Sequence, residues 1–301
     1  MIRPFELTDA TPVADMLREL DEGPSTPAGV RHRVESMPTR ADAVFWVAIQ
    51  DEAVVGWTEA RRKWSSDPSI GKFRVVVARA WRRRGIGSEL WTCALEHLAG
   101  LGVDKLVTYD DGTPESARFV TSRAFRPARR TVISVLEPKP VEVSIPPDTR
   151  LHALGEVLAR QEELFNLYRT AEADMPADDA HGRMTLEEWR RETLEHPHLD
   201  REGSSILEVG GQLASLTFLL VDREGRRAEN EMTGTLPELR GKGLATLCKQ
   251  ASIRWAAENG IAQIWTGNDE ENAAMIAVNR RLGYRPVKVL ADYSLELETA
   301  P

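Results

Sequence analysis

One stretch of this chain matches another 158 residues further on, and that repetition constrains its folding more than any other feature. At this offset Arg82-Arg83-Arg84-Gly85-Ile86-Gly87 falls on Arg240-Gly241-Lys242-Gly243-Leu244-Ala245, and Lys105-Leu106-Val107-Thr108 falls on Gln263-Ile264-Trp265-Thr266. Upstream, Val54-Val55-Gly56 meets Gln212-Leu213-Ala214. After one extra residue, Ala124-Phe125-Arg126-Pro127 meets Gly283-Tyr284-Arg285-Pro286. Few residues are identical, but the order of elements is kept, which reads as a duplication. A chain of 301 residues is about two ordinary domains long. Each copy is therefore expected to fold as a domain, at 1–138 and 148–301, joined by the proline-rich linker 139–147.

Within the first copy, periodicity predicts a short strand at 2–5, a helix from Asp9, strands near 44–49, 53–60 and 73–80, and a helix over 86–98. A strand at 106–109, a helix at 114–122 and a strand at 131–136 close it. The second copy is expected to start with helices over 151–168 and 185–194, followed by strands at 205–209, 212–221 and 227–236. A helix at 244–258, a strand at 262–266, a helix at 271–282 and a strand near 293–297 complete it. An antiparallel meander followed by strand, loop, helix, strand and helix predicts the α+β class rather than a doubly wound sheet.

Composition narrows the function classes. Residues 1–150 carry 22 basic and 21 acidic side chains, whereas 151–301 carry 17 and 26, so most of the net charge of -8 lies in the second copy. An acidic half argues against nucleic acid as a partner, because phosphate contacts need a basic face. The longest apolar run, near 213–221, is about half a membrane span, and acids rather than an apolar core follow the first residues. Two cysteines, Cys93 and Cys248, exclude a disulfide scaffold and accord with a cytoplasmic protein. No histidine or cysteine spacing makes a zinc site, so no metal is expected; His196-Pro197-His198 reads as a loop.

The repeated glycine motif sits between a strand and a helix. Glycines strip side chains from the turn so that successive backbone N–H groups can face an anion, and the helix N-terminus behind them adds roughly half a positive charge. Neither a dinucleotide fingerprint nor a P-loop has this spacing. Over Thr233 to Ala245, Thr266 to Met275 and Asn279 to Pro286, the sequence resembles the GNAT superfamily of acyl-CoA-dependent N-acetyltransferases, in a tandem arrangement. The first copy matches at the loop and the ending and is looser between. The resemblance implies two GNAT-like domains, each a mixed central sheet flanked by helices, with acetyl-CoA as co-substrate and a small-molecule amine as acceptor. It implies that the amides of Gly241, Lys242, Gly243, Leu244, Ala245 and Thr246, with Arg240, hold the pyrophosphate. Thr235 and Leu236 would meet the pantetheine arm, one of their N–H groups polarising the thioester carbonyl. Asn272 would touch the pantetheine end or simply cap a helix, and Asn279 would face the sulfur. Arg82, Arg84, Gly85 and Gly87 are the matching positions in the first copy.

Acyl transfer to an amine also needs a proton acceptor, since an alkylamine is mostly protonated at neutral pH. Glu231, four residues before Thr235, is the candidate base, with Glu229 on the same strand face; a surface carboxylate is the plain alternative. The matching position in the first copy is Phe73, which moves no proton. The second copy is therefore expected to be catalytic and the first degenerate. Where many GNAT enzymes carry an acidic tyrosine, this chain has Asn279 and Val120, so the acid for the departing thiolate has no candidate. Tyr284 reads as core. Gly234 inside a strand reads as a bulge or a close ligand approach. Asp174, Asp178, Asp179 and His181 read as an acidic lid or a solvated loop, and Arg61, Arg62 and Lys63 as further phosphate contacts or solvated charge. A non-catalytic acyl-CoA-binding protein is the competing reading.

Overall fold

In the computed structural model, residues 1–20, 23–173 and 183–297 are described. They form two compact units, Met1–Thr131 with Val289–Pro301, and Val132–Lys288. The expected acidic lid, with Asp174, Asp178, Asp179 and His181, lies outside the described residues.

The first unit holds strands β1 (Ile2–Pro4), β2 (Val44–Gln50), β3 (Ala53–Arg62), β4 (Ile70–Val77) and β5 (Lys105–Tyr109). Its helices are α1 (Ala10–Arg18), α2 (Pro27–Glu35), α3 (Ile86–Gly100) and α4 (Pro114–Thr121). The strands from β1 to β4 pair antiparallel in sequence order, and β4 pairs parallel with β5. Alternating side chains send Phe73 and Leu106 against Trp91, Leu98 and Phe125 on one face, and Trp57, Val47 and Val76 against Val13 and Met16 of α1 on the other. Helix α2, which the sequence reading did not include, starts where the Thr26 side chain accepts from the Gly29 amide and Pro27 takes the first helical position.

The second unit repeats this plan. It contains the end of β6 (Arg126–Leu136), all of β7 (Thr149–Ala153), β8 (Ser205–Val209), β9 (Gln212–Asp222), β10 (Arg227–Thr235) and β11 (Gln263–Asp269), and the start of β12 (Arg285–Glu296). Its helices are α5 (Gln161–Glu172), α6 (Leu186–Trp189), α7 (Leu244–Glu258) and α8 (Ala273–Leu282). The helix expected over 151–168 is corrected: Thr149–Ala153 pairs with β8, a 3-10 turn covers Leu154–Arg160, and α5 begins only at Gln161. Leu151, His152 and Ala153 complete a sheet edge there, which local apolar spacing cannot distinguish from a helix face. The segment expected as a helix at 185–194 is a single α-turn capped by Thr185 and Glu188, continued by a π-helical turn at Arg190–Leu194.

The last strand of each copy leaves its own half of the sequence. Asp292–Glu296 of β12 pairs antiparallel with Tyr109–Lys105 and places Tyr293 in the core of the first unit. Leu136 of β6 packs with Leu219, Val221, Ile264 and Tyr284 in the second. The sequence repeat thus groups 1–138 and 148–301, while compactness groups Val289 onward with the first unit.

Candidate active site

Both glycine loops adopt the same turn. In the second unit a 3-10 turn at Pro237–Leu239 leads to Arg240, whose Nε donates to the Thr235 carbonyl at 3.2 Å. In the first, Arg79–Trp81 leads to Arg82, whose Nε donates to the Val77 carbonyl at 3.1 Å. The motif arginine therefore latches the strand end to the loop in each copy, a structural use additional to any contact with phosphate. Positive φ follows at the same two positions, 76° at Gly241 and 80° at Gly243, 64° at Arg83 and 87° at Gly85. A non-glycine residue held at such a φ costs about 1–2 kcal/mol, so Arg83 shows how firmly this turn is imposed. A Cβ built at Gly241, Gly243 or Gly85 would meet nothing within 4 Å. Open space of this kind beside the first-turn amides of a helix could take an anion such as a diphosphate. Leu244 could offer such a ligand only its amide, because its side chain is buried with Leu207, Ala214 and Cys248.

Beside each loop the sheet comes apart. β10 pairs with β11 only from Arg227 to Glu229, and β4 pairs with β5 only from Ile70 to Lys72. Beyond those points the parallel strands diverge, leaving the outward backbone groups of Thr233 and Thr235 without a ladder partner on that side. Leu236 is corrected as a donor to the thioester. Its N–H already bonds the Ala214 carbonyl at 2.9 Å, so strand alternation leaves the Thr235 amide to face the gap. The Thr235 hydroxyl is shared with Ser215 at 2.8 Å.

Glu231 sits where β10 breaks register. Asn230 opposes Leu219 and Met232 opposes Phe218, so the residue between them has no partner on β9. This β-bulge frees the Glu231 side chain from the pleat. The residue as a whole is exposed to solvent, while protein crowds its carboxyl group. The crowding, followed by the charges of Glu229, Glu192 and Glu172, pushes its pKa up to about 8. Tyr168, near the end of α5, donates its hydroxyl to Glu231 Oε1 at 3.4 Å. That tyrosine is held by rings of Trp189 at 5.6 Å and Phe218 at 6.0 Å. Burial and the surrounding carboxylates push the pKa of its hydroxyl up. Neither Tyr168 nor Glu192 was singled out from the sequence; the apolar spacing of Leu164, Phe165, Leu167, Tyr168 and Ala171 was the available signal.

On the other face of the bulge the Tyr284 hydroxyl donates to Asn230 Oδ1, and Lys249 of α7 places Nζ 5.0 Å from the Tyr284 ring centroid. Burial pushes the Lys249 pKa down to about 7 and that of Tyr284 up. Tyr284 is thus core, and it ties down the residue preceding Glu231. Asn272 caps α8 by accepting from the Met275 amide at 3.1 Å. Asn279, 3% exposed, donates to Asn268 Oδ1 at 2.6 Å, and its own Oδ1 has no partner in the protein. The glycine at 234 answers a third need: a Cβ there would lie 2.1 Å from the Ala171 Cβ, so helix α5, not a ligand, makes the close approach, and the bulge lies three residues earlier. Arg62 is bound to Asp42 and to the Pro68 and Leu101 carbonyls, and Arg61 lies 4.0 Å from Glu59, which places both in structural pairs.

Two tandem turns of this kind, each followed by a helix and flanked by a parted parallel pair, invite comparison with known proteins. Residues 13–125 and 162–284 match the model of the acetyltransferase (GNAT) family. The chain belongs to that family. A mycothiol acetyltransferase from Thermobispora bispora is 29% identical over 231 residues, covering 73% of each chain. Among solved structures, a tandem GNAT protein from the clavulanic acid biosynthesis pathway superposes with a TM-score of 0.73 at 19% identity, over 100% of this chain and 99% of that one. A GCN5-related N-acetyltransferase from Sphaerobacter thermophilus gives 0.72 at 16% identity, over 98% and 95%. At those identities the structures attest the tandem GNAT fold.

The two GNAT units differ where Glu231 of the second is matched by Phe73 of the first. Phe73 continues an unbroken ladder opposite Ala60, is 2% exposed, and packs against Trp91 and Phe125. The first unit nevertheless carries an open cavity of about 770 Å³, lined in part by Val75, Val77, Arg82, Gly85, Gly87 and Arg123. Arg84 stacks over Trp81 at 4.6 Å, and Arg82 lies 3.7 Å from Asp111. Among the described residues no helix is long and apolar enough to cross a membrane, and no cluster of three candidate metal ligands occurs.

Proposed function

We propose that this GNAT chain transfers the acetyl group of acetyl-CoA to the amine of a small molecule, with the chemistry in its second unit. The observation that carries the proposal is Glu231 on a bulge next to the parted strands and the open glycine cradle. The acetyl thioester supplies the electrophile. Amides of Gly241 to Thr246 would hold its diphosphate, and the outward Thr235 N–H would donate to the carbonyl oxygen as negative charge develops there. Glu231 would take the amine proton, so that the neutral nitrogen attacks and the thiolate departs. A carboxylate with a pKa near 8 is a far better match to an alkylamine than an ordinary one. The carboxylates of Glu172, Glu192 and Glu229 around it favour a cationic acceptor over an anionic one. Similarity to a mycothiol acetyltransferase supports the acetyl group as the unit moved. Asn279 offers the sulfur a hydrogen bond without being a proton source.

The test is acetyl-CoA turnover on a panel of small amines with the wild type and Glu231→Gln. Loss of the base is expected to lower kcat/KM by about 10²–10⁴. Because the base must be ionised, wild-type activity should rise as pH climbs through about 8 and lose that limb in the variant. An unchanged rate across neutral pH in Glu231→Gln would remove the proposed base. For the first unit, the cavity together with the buried Phe73 supports the second reading, acyl-CoA binding without turnover.

A further inference from the structure

Tyr168 belongs to α5, 63 residues before Glu231, and the fold brings its hydroxyl to 3.4 Å from Oε1. We propose that Tyr168 is a positioning residue for Glu231, donating to Oε1 so that the carboxylate is held toward the amine and its ionised form is favoured. The inference rests on the base reading of Glu231. Three observations converge on it. The bulge releases the Glu231 backbone from the β9 ladder, so the strand alone does not fix where the side chain points. The tyrosine is rigid: it is 7% exposed, with its ring against Trp189 and Phe218, and Thr193 of the π-helical turn beside its hydroxyl. Finally, the charged groups acting on Glu231 from the elements around it are carboxylates: Glu229 from its own strand, Glu172 from α5 and Glu192 from the π-helical turn. All three oppose ionisation, and the Tyr168 hydroxyl is the side-chain group that opposes them.

The length of this bond accords with the role, because catalytic hydrogen bonds are often long before substrate binds and shorten in the complex. A π-turn beside a working side chain is also a recurrent arrangement. The tyrosine does not serve as the acid for the thiolate: burial and three carboxylates hold its proton tightly.

The experiment uses the full chain and four proteins: wild type, Tyr168→Phe, Glu231→Gln and the double variant. Tyr168→Phe keeps the ring and its packing, and a thermal melt checks that it folds. A hydrogen bond lost from the ionised form raises the carboxyl pKa, so the rising limb of the kcat/KM profile should move up by about 1 pH unit. At neutral pH kcat should fall about tenfold while KM for acetyl-CoA stays within twofold. In the Glu231→Gln background the same substitution should change the rate less than twofold, since a residue acting through another adds nothing once that other is gone. A Tyr168→Phe profile identical to wild type, or an equal loss in both backgrounds, overturns the proposal while leaving the base reading intact. Full activity in Glu231→Gln overturns both.

Discussion

Replacing Gly234 by alanine tests the packing on which the site depends. A Cβ at this position would lie 2.1 Å from the Cβ of Ala171 and 3.4 Å from its Cα. Methyl carbons in ordinary contact sit about 3.5–4.0 Å apart, so the shortfall is roughly 1.5 Å. No rotamer relieves it, because both carbons are fixed to backbone; α5 or β10 must move. Overpacking of this kind costs about 1–3 kcal/mol, and the close distance puts Gly234→Ala near the top of that range. Alanine recovers about 0.5–1 kcal/mol of the backbone entropy that a strand glycine gives up. The net loss is then about 2 kcal/mol, or roughly 4–8 °C in the melting of a unit of this size. Tyr168 lies three residues before Ala171 on the same helix, so the displacement also carries its hydroxyl away from Glu231. Differential scanning calorimetry and acetyl-transfer rates on Gly234→Ala, Ala171→Gly and the double variant supply the readout. Ala171→Gly should cost about 1 kcal/mol by itself and should restore both melting and rate when combined with Gly234→Ala. A Gly234→Ala protein melting within 1 °C of wild type would refute the close packing of α5 on β10, and with it the reason for a glycine in this strand.

Two further outcomes separate the units and probe the buried face of the bulge. Gly243→Glu places a carboxylate in the second cradle and should weaken coenzyme A binding there by more than 30-fold. Gly85→Glu should act only on the first cradle, so calorimetric stoichiometry with each variant assigns the sites; binding that survives both substitutions undisturbed would show that neither loop holds diphosphate. Lys249 has its pKa pushed from 10.5 down to about 7 by burial, so the unfolded chain binds more protons than the folded one between those values, and stability should rise with pH across that window. Lys249→Met should therefore stabilise by about 2–4 kcal/mol at pH 6 in urea titrations and by much less near pH 10, whereas an equal effect at both would contradict an ammonium buried in the fold.

Much of the candidate site was open to reading in the residues themselves. The repeat locates both glycine loops, and the contrast between Phe73 and Glu231 at matching positions is legible in the residues, because apolar and acidic side chains have opposite costs of burial. The loops could be read locally since a turn with two positive φ angles needs residues that tolerate them, and a glycine announces that tolerance. Arg83 is the instructive exception: the turn holds in the first copy without the glycine.

What the sequence did not disclose depends on partners distant along the chain. A bulge is a property of two strands, so the freedom of Glu231 appears only when β10 is set against β9. Gly234 reads from its own strand as a bulge or a close ligand approach, because nothing in that strand names Ala171. Tyr168 could not be assigned while the start of α5 was misplaced by a strand that needs β8 to exist. The closing strands pair across sequence halves for the same reason, since backbone hydrogen bonds recognise an open edge and not the copy it came from. Sequence alone determined that the chain is a duplicated GNAT fold with two matching glycine loops and a carboxylate, Glu231, where the first copy has Phe73. Only tertiary packing decided which side chains surround the carboxylate, because electrostatic environment and close contact are set by distances in space that residue order does not encode.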